Sequence, residues 1–123
     1  MLFSEKTRSD LFRLFAVLAA LAALYHGVGI FDRLDEAPPW RHFLFMGISA
    51  FCVYGSLKRP PYFVYVVALL LVQQYYSHGS YLLRLWAEHR QIHWISVGVL
   101  LLMPIFLLCL WEDRTGRHRR EKR

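Results

Sequence analysis

The chain has 123 residues, 56% hydrophobic and 16% aromatic, with 20% charged and a net charge of +6. Such totals suit many soluble domains, but here the charges fall between four runs free of Asp, Glu, Lys and Arg: residues 14–31, 42–57, 60–83 and 91–111. A bilayer core about 30 Å thick takes about 17–25 apolar helical residues, so the pattern argues against a water-soluble globule, and the short connections leave no room for a separate catalytic domain.

Residues 1–13 form a basic segment with Lys6, Arg8 and Arg13, and a first helix is predicted over 14–31. Within it Ala19, Ala23 and Gly27 recur every four residues with Ala16 and Ala20 beside them, a narrow ridge that another helix can approach closely. The same start, with Ala20-Leu21-Ala22 in the run, also fits a secretory signal with a small-residue cleavage site. Against that alternative, the run continues through Tyr25, Gly27, Val28, Gly29, Ile30 and Phe31 without a charge.

Second and third helices are predicted over 41–57 and 61–84, each announced by a proline pair, Pro38-Pro39 and Pro60-Pro61, because proline lacks the donor that a helix interior needs. Helix 2 offers the small residues Gly47, Ser49, Ala50 and Gly55. Gln73 and Gln74 are the most polar residues near the middle of any span, where interhelical hydrogen bonding is the commonest role. No Asp, Glu, Lys or Arg shares that depth, which argues against an ion-coupled transporter. The fourth helix, over 91–111, carries Ser96 and Gly98, and Pro104 is expected to kink it rather than end it. A basic tail over 112–123 follows. The expected fold is an all-α integral membrane protein, an antiparallel bundle of four transmembrane helices over 14–111.

Orientation follows from the basic residues. Lys6, Arg8, Arg13, Lys58, Arg59, Arg114, Arg117, Arg119, Arg120, Lys122 and Arg123 fall on one side of such a bundle. Arg33, Arg41, Arg84 and Arg90 on the other are offset by Asp32, Asp35, Glu36 and Glu88. An excess of Lys and Arg on short flanking segments marks the cytoplasmic side, so both termini are expected there, in a bacterial inner membrane. Beside a final transmembrane helix the basic tail reads as a topology or anionic-lipid signal, not as a nucleic-acid site. Trp40, Trp86, Trp94, Tyr25, Tyr75, Tyr76 and Tyr81 gather toward the outer interface, and Trp111 and Tyr62 toward the inner one.

Cys52 and Cys109 form no Cys-x-x-Cys pair and are expected to be buried thiols. Neither a phosphate-cradling glycine loop, a Gly-x-Ser-x-Gly elbow nor a His-Glu-x-x-His motif is present. Histidine is more informative. His26, His42, His78 and His93 each lie near the outer end of one predicted helix, roughly 9–12 Å from the midplane at 1.5 Å per residue. Neutral imidazole ligates zinc, copper and haem iron, so His26, His42, His78 and His93 are candidate metal ligands, and His26 and His78 candidate ligands of haem b. Gln74, one turn before His78, is a candidate partner for that ring. Interfacial placement without any ligand, or proton-linked chemistry, are the alternatives.

The pattern also repeats. His26-Gly27 matches His78-Gly79 at an offset of 52, and Arg33-Leu34, His42-Phe43 and Gly47 match Arg84-Leu85, His93-Trp94 and Gly98 at an offset of 51. A two-helix unit used twice in the same orientation produces such a pattern, a tandem duplication about an axis along the membrane normal. In its size, four-span plan and His26-Gly27 near the end of helix 1, the chain resembles small bacterial four-helix proteins of the DoxX type. The likeness rests on plan and one dipeptide and implies no residue role. The expected function is that of a non-catalytic accessory or structural subunit in the lipid bilayer, packing against other membrane-protein subunits or itself. A haem- or metal-binding redox module is the alternative.

Overall fold

The computed structural model describes residues 2–32, 35 and 37–121, the last three of these by backbone alone. Arg33-Leu34 of the repeat, the outer acid Glu36, and Lys122 and Arg123 of the tail lie outside the described residues. All regular structure among the described residues is helical: α1 (Glu5–Phe31), α2 (Pro39–Lys58), α3 (Phe63–His89) and α4 (Trp94–Glu121).

The helices reach further than the charge-free runs. Ser4 caps α1, its Oγ accepting from the Thr7 amide at 3.1 Å, and Glu5 in the first turn complements the helix dipole. The amphiphilic stretch from Lys6 to Arg13 is therefore helix rather than a separate segment. α2 opens with Pro39 in its first turn, where the missing amide costs no bond. It ends at Arg59, whose left-handed backbone (φ 51°) precedes Pro60 and stops the helix. α3 ends the same way at Arg90, φ 54°. α4 continues through Pro104 to Glu121, beyond the expected end at Trp111.

The chain divides into two compact units, Phe3–Pro60 and, together with Leu2, Pro61 onward. In the first, α1 and α2 run antiparallel: His26 near the end of α1 meets His42 near the start of α2, and Arg59 after α2 lies 5.0 Å over the Phe12 ring near the start of α1. The second unit has the same form, with His78 of α3 linked to Ser96 of α4 and Arg114 lying 4.7 Å over Tyr65. Phe63 and Phe106 pack edge to face across α3 and α4 at 6.2 Å.

Two of the helices, α1 and residues Trp94–His118 of α4, are long and apolar enough to cross a membrane, with mean hydropathy of 2.1 and 2.4 over their most apolar stretches. The other two fall short for a visible reason. α3 carries Gln73, Gln74, Ser77, His78 and Ser80, and α2 has only 20 residues with Arg41, His42 and Lys58 near its ends. The apolar side chains of α1 are largely outside: Leu14, Val17, Leu21, Leu24, Val28 and Phe31, spaced by three and four residues along one stripe, are all exposed.

Candidate functional site

The four histidines fall into two pairs, one in each hairpin, at the end where its helices are joined. In the first, Tyr25 and His26 sit in the last turns of α1 and His42 in the first turn of α2, with Asp35 between the helices. Asp35 organises the connection. Its Oδ1 accepts from the Ala37 amide at 2.8 Å, an Asx turn that leads the chain into Pro38-Pro39, and its Oδ2 accepts from the Tyr25 hydroxyl at 2.8 Å. The Ala37 amide is the main reason that its carboxyl is held below the ordinary carboxylate value; the Tyr25 hydroxyl and His42 add to the effect, and desolvation opposes it.

His42 is buried, with 2% of its surface exposed. Its Nε2 lies 3.1 Å from Asp35 Oδ1 and its Nδ1 lies 3.1 Å from His26 Nδ1. A carboxylate can only accept, so Nε2 carries the hydrogen and Nδ1 is left as an acceptor. His26 therefore donates from its own Nδ1, which leaves its Nε2 bare. The His26 ring also stacks on Phe45, centroids 5.5 Å apart, and Tyr25 closes the other side of His42 at 6.1 Å.

In the second hairpin a serine stands between the rings. Ser96, fully buried, places its Oγ 2.9 Å from both His78 Nδ1 and His93 Nδ1. His93 occupies the position before α4 and its Nδ1 also accepts from the Ser96 amide at 3.3 Å, serving as the cap of that helix. His93 Nδ1 is thus an acceptor, the Ser96 hydroxyl donates to it, and His78 Nδ1–H donates to Ser96. Here too the histidine of the earlier helix is left with a bare Nε2. Tyr81 packs edge-on against His93 at 5.2 Å.

Several residues stand apart from where the sequence suggested. The Gln74 amide donates to Gln73 at 2.8 Å, and the partner of His78 is Ser96. Gly27, beside His26, lines an open groove where a Cβ would make an ordinary 3.5 Å contact with Met46 Sδ, and a Cβ on Gly79, beside His78, would meet nothing within 4 Å. His89 is exposed beside Glu88 at 3.8 Å, away from both pairs. Cys52 is partly exposed and Cys109 buried, and neither forms a disulfide. Among the described residues no three His, Cys, Asp or Glu side chains are placed to hold one metal ion.

Asp35, Ser96 and Gly29 are the site residues that sequence reasoning passed over. Ser96, three residues after a histidine that precedes a helix, stood in a capping pattern. Asp35 gave no spacing signal. Beside the histidine pair, the first hairpin has an open apolar groove of about 710 Å³, walled by Ala20, Ala23, Gly27 and the stripe residues Leu24, Val28 and Phe31 of α1 and by Met46, Ala50 and Val53 of α2. No family model, curated protein or solved structure matches the chain, so the likeness to the DoxX type stays one of plan and a dipeptide.

Proposed function

We propose that the chain is a four-span membrane protein of the bacterial inner membrane, with both termini cytoplasmic, acting as a non-catalytic accessory subunit of a larger membrane complex. The observation that carries this reading is the surface of the first hairpin. The exposed stripe from Leu14 to Phe31 is a lipid-facing pattern, and its last residues, Leu24, Val28 and Phe31, share an apolar groove with the small residues Ala20, Ala23 and Gly27 of α1 and Ala50 of α2. Without a hydrophobic driving force inside lipid, helices associate where small side chains let backbones approach, so the groove suits a transmembrane helix of a partner subunit. α2 and α3 join the spans in this reading because each runs antiparallel to an apolar neighbour of membrane length, and their glutamine, serine and tyrosine groups are tolerated where they face other helices. Anionic lipid headgroups are the natural counterpart of the basic ends of α1 and α4.

The redox alternative has less behind it. His26 and His78 each keep a bare Nε2, with Nδ1–H held as in a ligating imidazole, but they belong to different hairpins, and among the described residues no three His, Cys, Asp or Glu side chains converge to hold a metal ion.

The test is photo-crosslinking from groove positions in native membranes. A crosslinkable residue at Ala23 or Ala50 is expected to capture one discrete membrane protein, and the same residue at exposed Leu2 none. A groove that yields only lipid adducts together with a lone monomer in mild detergent overturns the reading; capture of a second copy of this chain replaces the accessory role with self-association.

A further inference from the structure

The two hairpins share a proton order at their joined ends but differ in where it leads. In the first, the hydrogens run His26 Nδ1–H to His42 Nδ1 and His42 Nε2–H to Asp35 Oδ1, over two contacts of 3.1 Å each. The middle of the chain, His42, is sealed at 2% exposure, while its far end, the Asp35 side chain, is 42% exposed. A closed middle and an open end are what a relay needs, because water reaching the centre would short-circuit it. The near end is the bare Nε2 of His26.

We propose that the first hairpin is a proton relay that accepts a proton at His26 Nε2 from a protic group, a hydroxyl or an acid, at the membrane interface and delivers it to Asp35. Every transfer balances. The donor X–H gives its proton to His26 Nε2, His26 passes its Nδ1 hydrogen to His42 Nδ1, and His42 passes its Nε2 hydrogen to the Asp35 carboxylate. X⁻ and a neutral Asp35 result, both imidazoles remain neutral with their tautomers exchanged, and Asp35 loses the proton to water. Running backwards, the same chain supplies a proton to X⁻. Among the described residues Arg41 also acts electrostatically on His26, and the Tyr25 hydroxyl, held on Asp35 Oδ2, keeps the carboxylate aimed at His42.

The second hairpin is the built-in control. A proton entering at His78 Nε2 would pass through Ser96 to His93 and stop there as an imidazolium at a helix N-terminus, where the dipole disfavours positive charge. Glu88, the acid of that connection, lies beside His89 instead. Geometry alike at the entrance and unlike at the exit makes the first hairpin the working relay.

The test uses the full chain in lipid nanodiscs. With ¹⁵N-labelled histidine, neutral His26 is expected as the Nδ1–H tautomer, His42 as Nε2–H, and a coupling across the hydrogen bond is expected between their Nδ1 atoms. His26 protonated at Nε2 in its neutral form, or no coupling, overturns the proposal before any variant is made. A bilayer-embedded photoacid then serves as the donor, with the infrared carboxyl signal of Asp35, identified by its loss in Asp35→Asn, as the readout. After the flash this signal is expected to rise about tenfold slower in His26→Phe, which keeps the stacking on Phe45, and at the wild-type rate in His78→Phe. Equal rates in wild type and His26→Phe mean that Asp35 takes protons directly from water, and the relay is then rejected.

Discussion

The imidazole of His42 lies where a side chain on Gly29 would have to be. A Cβ built on Gly29 falls 2.5 Å from His42 Nδ1, 2.6 Å from Cε1 and 2.9 Å from Cγ, so the ring is packed against bare helix backbone. The short approach explains how a side chain as bulky as imidazole is sealed from solvent at the end of a two-helix hairpin, and it is glycine's lack of a side chain, not its backbone freedom, that is used.

Gly29→Ala is therefore expected to push the His42 ring outward and to destabilise the hairpin by about 1–3 kcal/mol, the usual cost of overpacking. Unfolding by graded denaturing detergent checks the energy, and acylation of His42, slow in the wild type, checks the exposure. Gly79→Ala is the comparison: with nothing within 4 Å of its Cβ, it should be neutral or gain slightly from the better helix former. Equal behaviour of the two variants would contradict the packing of His42.

Asp35 predicts a pH dependence with a definite sign. Its folded-state carboxyl is held below the ordinary value, chiefly by the Ala37 amide, so the folded state favours the carboxylate. The stability this lends is fully present above the unfolded carboxyl value of about 3.9 and is lost as pH falls through the lower folded value. Unfolding followed across the acid range should show a wild-type decline that Asp35→Asn lacks. A decline of the same size in both proteins would place the cause in another group.

Ser96→Ala tests the second pair. The hydroxyl is buried and serves both imidazoles; its loss strands the His78 Nδ1–H, while His93 Nδ1 keeps the Ser96 amide, and should cost about 1–3 kcal/mol. Ser96→Thr keeps the hydroxyl and is expected to recover most of that loss. The tautomers of His26 and His42 should not change in either variant, since the hydrogen bonds that set them lie within their own hairpin.

Much of this organisation was readable from residues. The proline pairs and charge-free runs mark four helices, and the matched His-Gly and His-aromatic dipeptides fall at the end where each hairpin is joined. Helix ends were less readable, because a charge-based rule stops at the first Arg or Glu, whereas a capped helix such as α1 continues into its basic stretch from Ser4 onward. The pairing of histidines was hidden for another reason. Depth along a helix follows from counting residues, but direction around it depends on packing, so four rings at one level looked like one cluster when each finds its partner across its own hairpin. Asp35 illustrates the remaining gap: its role comes from a turn closed by Ala37 and Tyr25, and no periodicity announces a turn of that kind.

Leu21→Lys separates the membrane reading from its alternatives. Leu21 is 57% exposed at the centre of the apolar stripe on α1, between exposed Val17 and Leu24. On a helix facing water, lysine there is a surface change worth within about 0.5 kcal/mol, and it would raise solubility. On a helix facing lipid it places a charge near the bilayer centre at a cost of about 2.5–3.5 kcal/mol on the insertion scale. The expected outcome is a marked fall in the membrane-inserted fraction, measured by alkaline extraction and by glycosylation tags on the flanks of α1. Lysine at Ala20, a groove wall rather than part of the stripe, should insert more readily than at Leu21 if its long side chain finds the polar ends of the hairpin, but should abolish crosslinking from the groove. An inserted fraction unchanged by Leu21→Lys, with the protein recovered in the aqueous phase, would remove the bilayer from the account of this chain and leave the stripe as a surface for another soluble protein.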